Sequence, residues 1–167
     1  IPFVLKAQER AERARKARNM EEEEKLFLFG SPWSPPAWMK NPGGNRPSLS
    51  SMSGSNPIQG LSTNQQQAWS NYLSYWVTSF KQKGVNIWGI TVQNEAEFAA
   101  PWESCVYNAS FQSNFIGNYL GPTLKKDHPS LKIMAYDHNK DHIAQWAKEL
   151  SSNEQCMKYL SGMAFHW

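Results

Sequence analysis

The chain has 167 residues, 17 Lys and Arg against 14 Asp and Glu (net charge +3), 40% hydrophobic residues and eight Trp. That balance is too weakly basic to imply nucleic acid, and a charged fraction of 19% is too low for a disordered polyelectrolyte. The longest apolar run, Leu26 to Gly30, falls far short of the ~18 residues a membrane span needs, and Cys105 and Cys156 show neither disulfide-framework nor metal-ligand spacing.

In chain order, the first 25 residues hold 13 of the 31 charged side chains. Pro2 followed by an Ala/Arg/Glu-rich stretch predicts a helix with Pro in its first turn. Arg15, Lys16 and Arg18 suit its C-terminus, where cations meet the negative end of the helix dipole. Glu21 to Glu24 would be repelled there, so the helix is expected to end near Asn19 and the acidic run to form a loop. Leu26 to Gly30, apolar at each position before Gly30, is expected as a short, fully buried strand. Ser31 to Thr63 is rich in Pro, Gly, Ser and Asn and contains Trp33, Trp38, Gly43-Gly44 and Pro47. It reads as a long irregular loop, of a kind usually functional or disordered.

Trp69, Tyr72, Leu73, Trp76, Val77 and Phe80 form a helical stripe, predicting a helix over 64–83. Ser62 with Gln65, or Thr63 with Gln66, offers a capping box, and Gly84 closes the helix. Val85 to Val92 reads as a strand entering Gln93-Asn94-Glu95. A second helix carries Phe111, Phe115, Ile116, Tyr119 and Leu120. Leu131 to Tyr136 is a further strand, entering Asp137-His138-Asn139. A third helix carries Ile143, Trp146, Ala147 and Leu150, and Gly162 to Trp167 reads as a last strand. Trp69, Trp76 and Trp146 lie on helix stripes and are expected to pack. His128 is expected at the surface and His142 in a structural helix start, while Asn108-Ala109-Ser110 is a glycosylation sequon.

Strands alternating with helices imply an α/β fold with a parallel sheet. A doubly wound sheet and a (β/α)8 barrel both fit, but no glycine-rich phosphate loop follows a strand. Each strand instead ends in polar and aromatic residues: Ser31/Trp33, Asn94/Glu95, Asp137/His138 and His166/Trp167. A barrel keeps its active site on that C-terminal face. Four strands where eight are needed suggest a partial (β/α)8 TIM barrel, with residues 1–167 as a fragment of a single catalytic barrel. Along the second strand Thr91, Gln93 and Glu95 share one parity, while Trp88, Ile90 and Val92 share the other. A carboxylate is thus delivered toward the barrel mouth, and Glu95 is the candidate general acid.

Two motifs are specific: Ser31-Pro32-Trp33-Ser34-Pro35-Pro36-Ala37-Trp38-Met39-Lys40 and Trp88-Gly89-Ile90-Thr91-Val92-Gln93-Asn94-Glu95. Together with Leu120-Gly121-Pro122-Thr123-Leu124 and Gly162-Met163-Ala164-Phe165-His166-Trp167, in that order, they resemble glycoside hydrolase family 30, in its glucosylceramidase-like branch. The resemblance spans nearly the whole chain apart from the charged stretch around 11–25. It implies barrel strands three to six and retaining hydrolysis of a β-glucoside. In that reaction one carboxyl protonates the leaving oxygen, and a second, about 5–5.5 Å away, attacks the anomeric carbon. By the same resemblance Glu95 is the acid/base, Asn94 binds the sugar 2-hydroxyl, Trp33 lines the glucose pocket and His166 stands at its edge. Trp102 and Trp167 are further candidate sugar contacts. Asp137 is a candidate substrate-binding residue, with a local loop hydrogen bond as the alternative.

The resemblance implies a glucoside or glycosphingolipid substrate and neither cofactor nor metal. It also implies lysosomal or extracellular residence, with contact to a membrane surface or activator protein open. Two departures stand out. Ala96 replaces the family's Pro after the acid and is expected to relax the backbone there. The family's nucleophile is a Glu ending strand seven, and Glu97, Glu103 and Asp137 come from the wrong strands to replace it. The alternatives are another family-30 activity, β-1,6-glucanase or β-xylosidase, and a non-catalytic carbohydrate-binding protein.

Overall fold

A computed structural model describes residues 1–19, 26–42, 50–55 and 57–167. Glu21 to Glu24, and Gly43-Gly44 with Pro47 of the long loop, lie outside the described residues.

Helix α1 (Pro2–Ala17) begins with Pro in its first turn and buries none of its residues. It ends two residues before the predicted boundary, with Arg15 and Lys16 in its last turn. Local pairing supports it: the Arg15 guanidinium lies 2.8 Å from Glu12, and its hydrogen bond lowers the Glu12 pKa to about 2.

The fully buried strand expected at Leu26 to Gly30 is not found. Only Phe29–Gly30 (β1) pairs, and Leu26, Phe27 and Phe29 are 47%, 55% and 57% exposed. Among the described residues strand β1 has one neighbour in the sheet, strand β4 (Gly89–Thr91). Phe27 finds cover only on the Trp88 ring, 5.3 Å between centroids. Gly30 faces the helix layer, where a Cβ would meet the Trp76 indole at 2.8 Å.

The stretch from Ser31 to Thr63 is also more regular than its composition implies. After a 3-10 turn at Ala37–Met39, strands β2 (Lys40–Pro42) and β3 (Gln59–Leu61) pair as an antiparallel ribbon. A buried ammonium organises it. Lys40 Nζ donates to the carbonyl oxygens of Met52, Ser53 and Ser104 at 2.8, 2.9 and 2.6 Å. Burial lowers the Lys40 pKa and pushes the neighbouring Cys105 thiol up to about 12. A single buried cation collecting three carbonyls leaves no periodic trace in a sequence.

Helix α2 (Gln66–Gln82) follows a 3-10 turn, and neither capping box forms at its start. Gln66 Nε2 donates to the Thr63 carbonyl instead, at 3.0 Å. Gly84, at φ +79°, closes the helix as expected. Trp69, Leu73 and Val77 are buried, whereas Tyr72 on the margin of the stripe is half-exposed. Strand β4 is confined to Gly89–Thr91, shorter than the predicted Val85 to Val92, because ladder partners exist only where β1 and strand β5 (Lys132–Asn139) flank it. The second predicted helix runs further, as α3 (Ala109–Phe115), a π-helical segment (Ile116–Leu120) and α4 (Gly121–Asp127). Pro122 explains the segment: it lacks an N–H and crowds the preceding turn, which the wider π spacing accommodates. Asn108 of the sequon caps α3 by accepting the Phe111 N–H at 2.8 Å.

Strand β5 (Lys132–Asn139), helices α5 (Ile143–Ser151) and α6 (Glu154–Met157), and strand β6 (Leu160–His166) complete the order. The main sheet is parallel throughout, ordered β1-β4-β5-β6. Ile90, Val92, Ile133 and Ala135 of the sheet join Trp69, Leu73, Phe115, Leu120, Leu124, Trp146 and Leu150 of the helices in one core. Chain order and spatial order coincide, and the helices meet one shared apolar face. A doubly wound sheet would reverse its strand order, so this is barrel winding. His128, expected at the surface, is instead half-buried at the end of α4, where Nε2 lies 2.9 Å from the Ser74 carbonyl of α2.

Candidate active site

The C-terminal ends of four parallel strands converge on one group of polar side chains. Strand β1 contributes Ser31, β4 contributes Thr91 and then Glu95, β5 contributes Asp137, and β6 contributes His166. Asp137 is 4% exposed and stands at the centre. Its Oδ2 accepts from the hydroxyls of Ser31 at 2.5 Å and Thr91 at 2.6 Å. Its Oδ1 lies 2.8 Å from His166 Nε2. The other ring nitrogen, His166 Nδ1, lies 3.7 Å from Glu95 Oε1. The backbone joins in, for the Glu95 N–H donates to the Asp137 carbonyl at 2.8 Å.

Simple alternation would not have placed Asp137 there. Its parity matches Ile133 and Ala135, which face the helices in the core. A register shift between Tyr136 and His138 breaks the alternation, with φ +75° at Tyr136 and +54° at Asp137. The bulge turns Tyr136 to the helix side, against Trp146 at 5.3 Å between ring centroids, and brings Asp137 to the Thr91 side. Bulges of this kind re-aim side chains beside functional sites. The Tyr136 N–H is not lost, since it donates to the buried Gln112 Oε1 of α3 at 2.9 Å.

Glu95 itself adopts φ +48°, a conformation costing of order 1–3 kcal/mol for a non-glycine residue and common at functional sites. Hydrogen bonds on both sides hold it: its N–H to Asp137, and its carbonyl accepting the Phe98 N–H at 2.9 Å. Ala96 is fully buried, and its carbonyl accepts the Tyr107 N–H at 2.8 Å. Packing and that bond restrain the turn that Pro would otherwise stiffen.

The remaining candidates fall into two sets. Asn94 is adjacent, anchored by its N–H to the Pro32 carbonyl at 2.9 Å. Trp33 follows β1, half-exposed, its carbonyl accepting from Gln93 Nε2 at 2.7 Å. Trp167 follows His166 edge-on at 6.5 Å and is 86% exposed. Trp102 is half-exposed and pairs edge-to-face with Phe98 at 6.0 Å between centroids. His138 lies beside Tyr136, its ring tilted at 5.9 Å between centroids. His142 lies 2.9 Å from Glu97, tying the loop after β5 to the loop after β4. Sequence reading missed Ser31, Thr91 and Gln93 as supports of the site. The shared parity of Thr91, Gln93 and Glu95 was the available signal for two of them.

The model of the glycosyl hydrolase family 30 TIM-barrel domain matches residues 7–167. Across its whole length the chain is 31% identical to a putative glucosylceramidase 3 of Caenorhabditis elegans, of which it covers 30%. Over 85% of its length it is 27% identical to the lysosomal acid glucosylceramidase of Mus musculus, covering 27% of that protein. A solved endo-β1,6-glucanase superposes with a TM-score of 0.77 at 28% identity, over 85% of this chain and 32% of that one. The chain thus spans about 30% of the length of such relatives.

Proposed function

This chain belongs to glycosyl hydrolase family 30, and we propose that it carries the acid/base half of a retaining β-glycosidase site, with Glu95 as the acid/base. The observation that carries the reading is Glu95 itself: a carboxyl at the mouth of a parallel sheet, pinned through its backbone to the next strand. Its side chain lies beside an imidazole and is about 29% exposed, within reach of a substrate. Such a group can protonate the departing glycosidic oxygen, then deprotonate the water that attacks the glycosyl-enzyme. Asn94 would orient the sugar through its 2-hydroxyl. Trp33, Trp167 and Trp102 would offer apolar faces to the C–H side of the ring, with His166 at the pocket edge. The same reading assigns the nucleophile to a Glu ending barrel strand seven.

The substrate we propose is a glucosylceramide-like β-glucoside, as in the names of the worm and mouse relatives. Residence in a lysosomal or extracellular compartment, and contact with a lipid surface, belong to the same proposal. The similarity to an endo-β1,6-glucanase favours a second reading, a β-1,6-linked glucan. Parallel assays of the protein encoded by the full reading frame, on glucosylceramide vesicles and on a β-1,6-gluco-oligosaccharide, separate the two.

The role of Glu95 has its own test. On an aryl β-glucoside Glu95→Gln should lower turnover about 10²–10⁴-fold. Added azide should restore turnover with formation of a β-glucosyl azide, because azide attacks the glycosyl-enzyme without needing a general base. Full activity in Glu95→Gln would sink the assignment. The 167-residue polypeptide alone should turn over no glycoside; turnover by it that Glu95→Gln abolishes would refute the two-strand division of labour.

A further inference from the structure

Two carboxylates compete for one imidazole at the mouth of the sheet. His166 offers Nε2 to Asp137 at 2.8 Å and Nδ1 to Glu95 at 3.7 Å. A neutral imidazole carries one N–H, so only one carboxylate can receive it. Geometry decides between them. The shorter contact is a hydrogen bond and the longer one is outside direct hydrogen-bond range. Asp137 is also committed as an acceptor, because two hydroxyls already donate to its other oxygen.

We propose that Asp137 is a positioning residue rather than a sugar contact. Its carboxylate fixes neutral His166 in the Nε2–H form and turns the lone pair of Nδ1 toward Glu95. The inference rests on Glu95 being the acid/base. In that form Nδ1, with its lone pair, lies 3.7 Å from the Glu95 carboxyl oxygen. When Glu95 gives its proton to the leaving oxygen, the lone pair faces a fresh negative charge. That helps drive Glu95 to take the proton back from the attacking water. No atom changes hands between the two groups; His166 supplies an oriented dipole. The anchorage is deep: Ser31, Thr91 and Asp137 come from three adjacent strands, and Asp137 is nearly inaccessible to a sugar.

The charged groups around His166 are few among the described residues. Glu95 and Asp137 flank its ring. On the neighbouring loops, Glu97 is engaged by His142, and the Lys140 ammonium lies over the Phe165 ring at 5.8 Å to its centroid. Phe165 is adjacent to His166 on β6 and has the opposite parity, so Lys140 does not share the imidazole's face.

The experiment is nitrogen-15 NMR of the His166 ring in the whole chain, at a pH where the imidazole is neutral. It needs no glycoside, so it fails or succeeds independently of whether the protein is a glucosidase. The expected result is the Nε2–H tautomer, with a downfield ring proton that exchanges with water far more slowly than that of free histidine. Asp137→Ala should shift the population toward Nδ1–H, now directed at Glu95, whereas Glu95→Gln should leave Nε2–H in place. A predominant Nδ1–H form in the unaltered chain would overturn the proposal. So would an Nε2 proton exchanging as fast as in solution, a reading that stands even if Asp137→Ala does not fold. Retention of the unaltered tautomer in a folded Asp137→Ala chain would overturn it as well.

Discussion

The two ends of strand β5 obey different rules. Toward its start, Ile133 and Ala135 are nearly inaccessible and both lie in the core, among side chains such as Leu124, Trp146 and Leu150. At its far end alternation fails, two successive residues take positive φ, and the side chain delivered to the interior is a carboxylate. The first region is stabilised by area removed from water, to which each apolar atom contributes on its own. The second persists because the three side chains that meet the Asp137 carboxylate, Ser31, Thr91 and His166, are each placed by a different strand, so those strands must be assembled before the site exists. Damage should therefore separate cleanly: lesions in the first region cost stability, and lesions in the second cost orientation.

The largest expected effect on stability is in the first region. Trp146→Ala, removing a fully buried ring between α5 and β5, should destabilise by about 3–5 kcal/mol in denaturant unfolding. Thr91→Val tests the second region. It keeps shape but deletes one donor to a buried carboxylate, at a cost of about 1.5–3 kcal/mol. It should also alter the His166 ring signals, which Trp146→Ala in its folded fraction should not.

Gln112→Ala lies on the boundary between the regions. It leaves the buried Tyr136 N–H without its acceptor and should cost about 1–3 kcal/mol. Hydrogen exchange at that amide should accelerate well before neighbouring β5 amides do. Equal acceleration along the strand would mean the bulge has no separate support.

The smallest effect belongs to the rim. Glu97, through its hydrogen bond and its charge, raises the His142 pKa above the ordinary 6.5. A raised folded-state pKa adds stability fully present below about pH 6.5, and that stability is lost as pH rises through the folded value. The pair is exposed, so the amplitude should be slight. Proton NMR should show His142 titrating nearer 6.5 in Glu97→Gln, with the His166 signals unmoved. A matching change at His166 would mean rim and site are coupled.

Order of elements was legible in the residues because helical stripes and strand runs are local patterns. Trp69, Leu73, Val77, Trp146 and Leu150 announce their burial by spacing alone, and they are buried. The position of Glu95 at the mouth of the sheet was readable from the parity it shares with Thr91 and Gln93. The length of β1 and the exposure of Leu26 and Phe27 were not reachable, since burial depends on which strand lies alongside. The Lys40 hub was equally invisible, its acceptors lying 12, 13 and 64 residues away.

By itself, the amino-acid sequence determined the succession of the four parallel strands and the helices between them, the apolar faces that meet, and the family to which the chain belongs. Periodicity and short motifs encode these over a few neighbouring residues, so no distant partner is needed to read them. Only the tertiary structure decided the orientation of Asp137 and the company it keeps. Ser31, Thr91 and His166 are 106, 46 and 29 residues from it. The bulge that turns Asp137 inward is sustained by Gln112, a residue of another element. A carboxylate's role depends on which donors surround it in space, and parallel strands gather those donors from the far reaches of the chain.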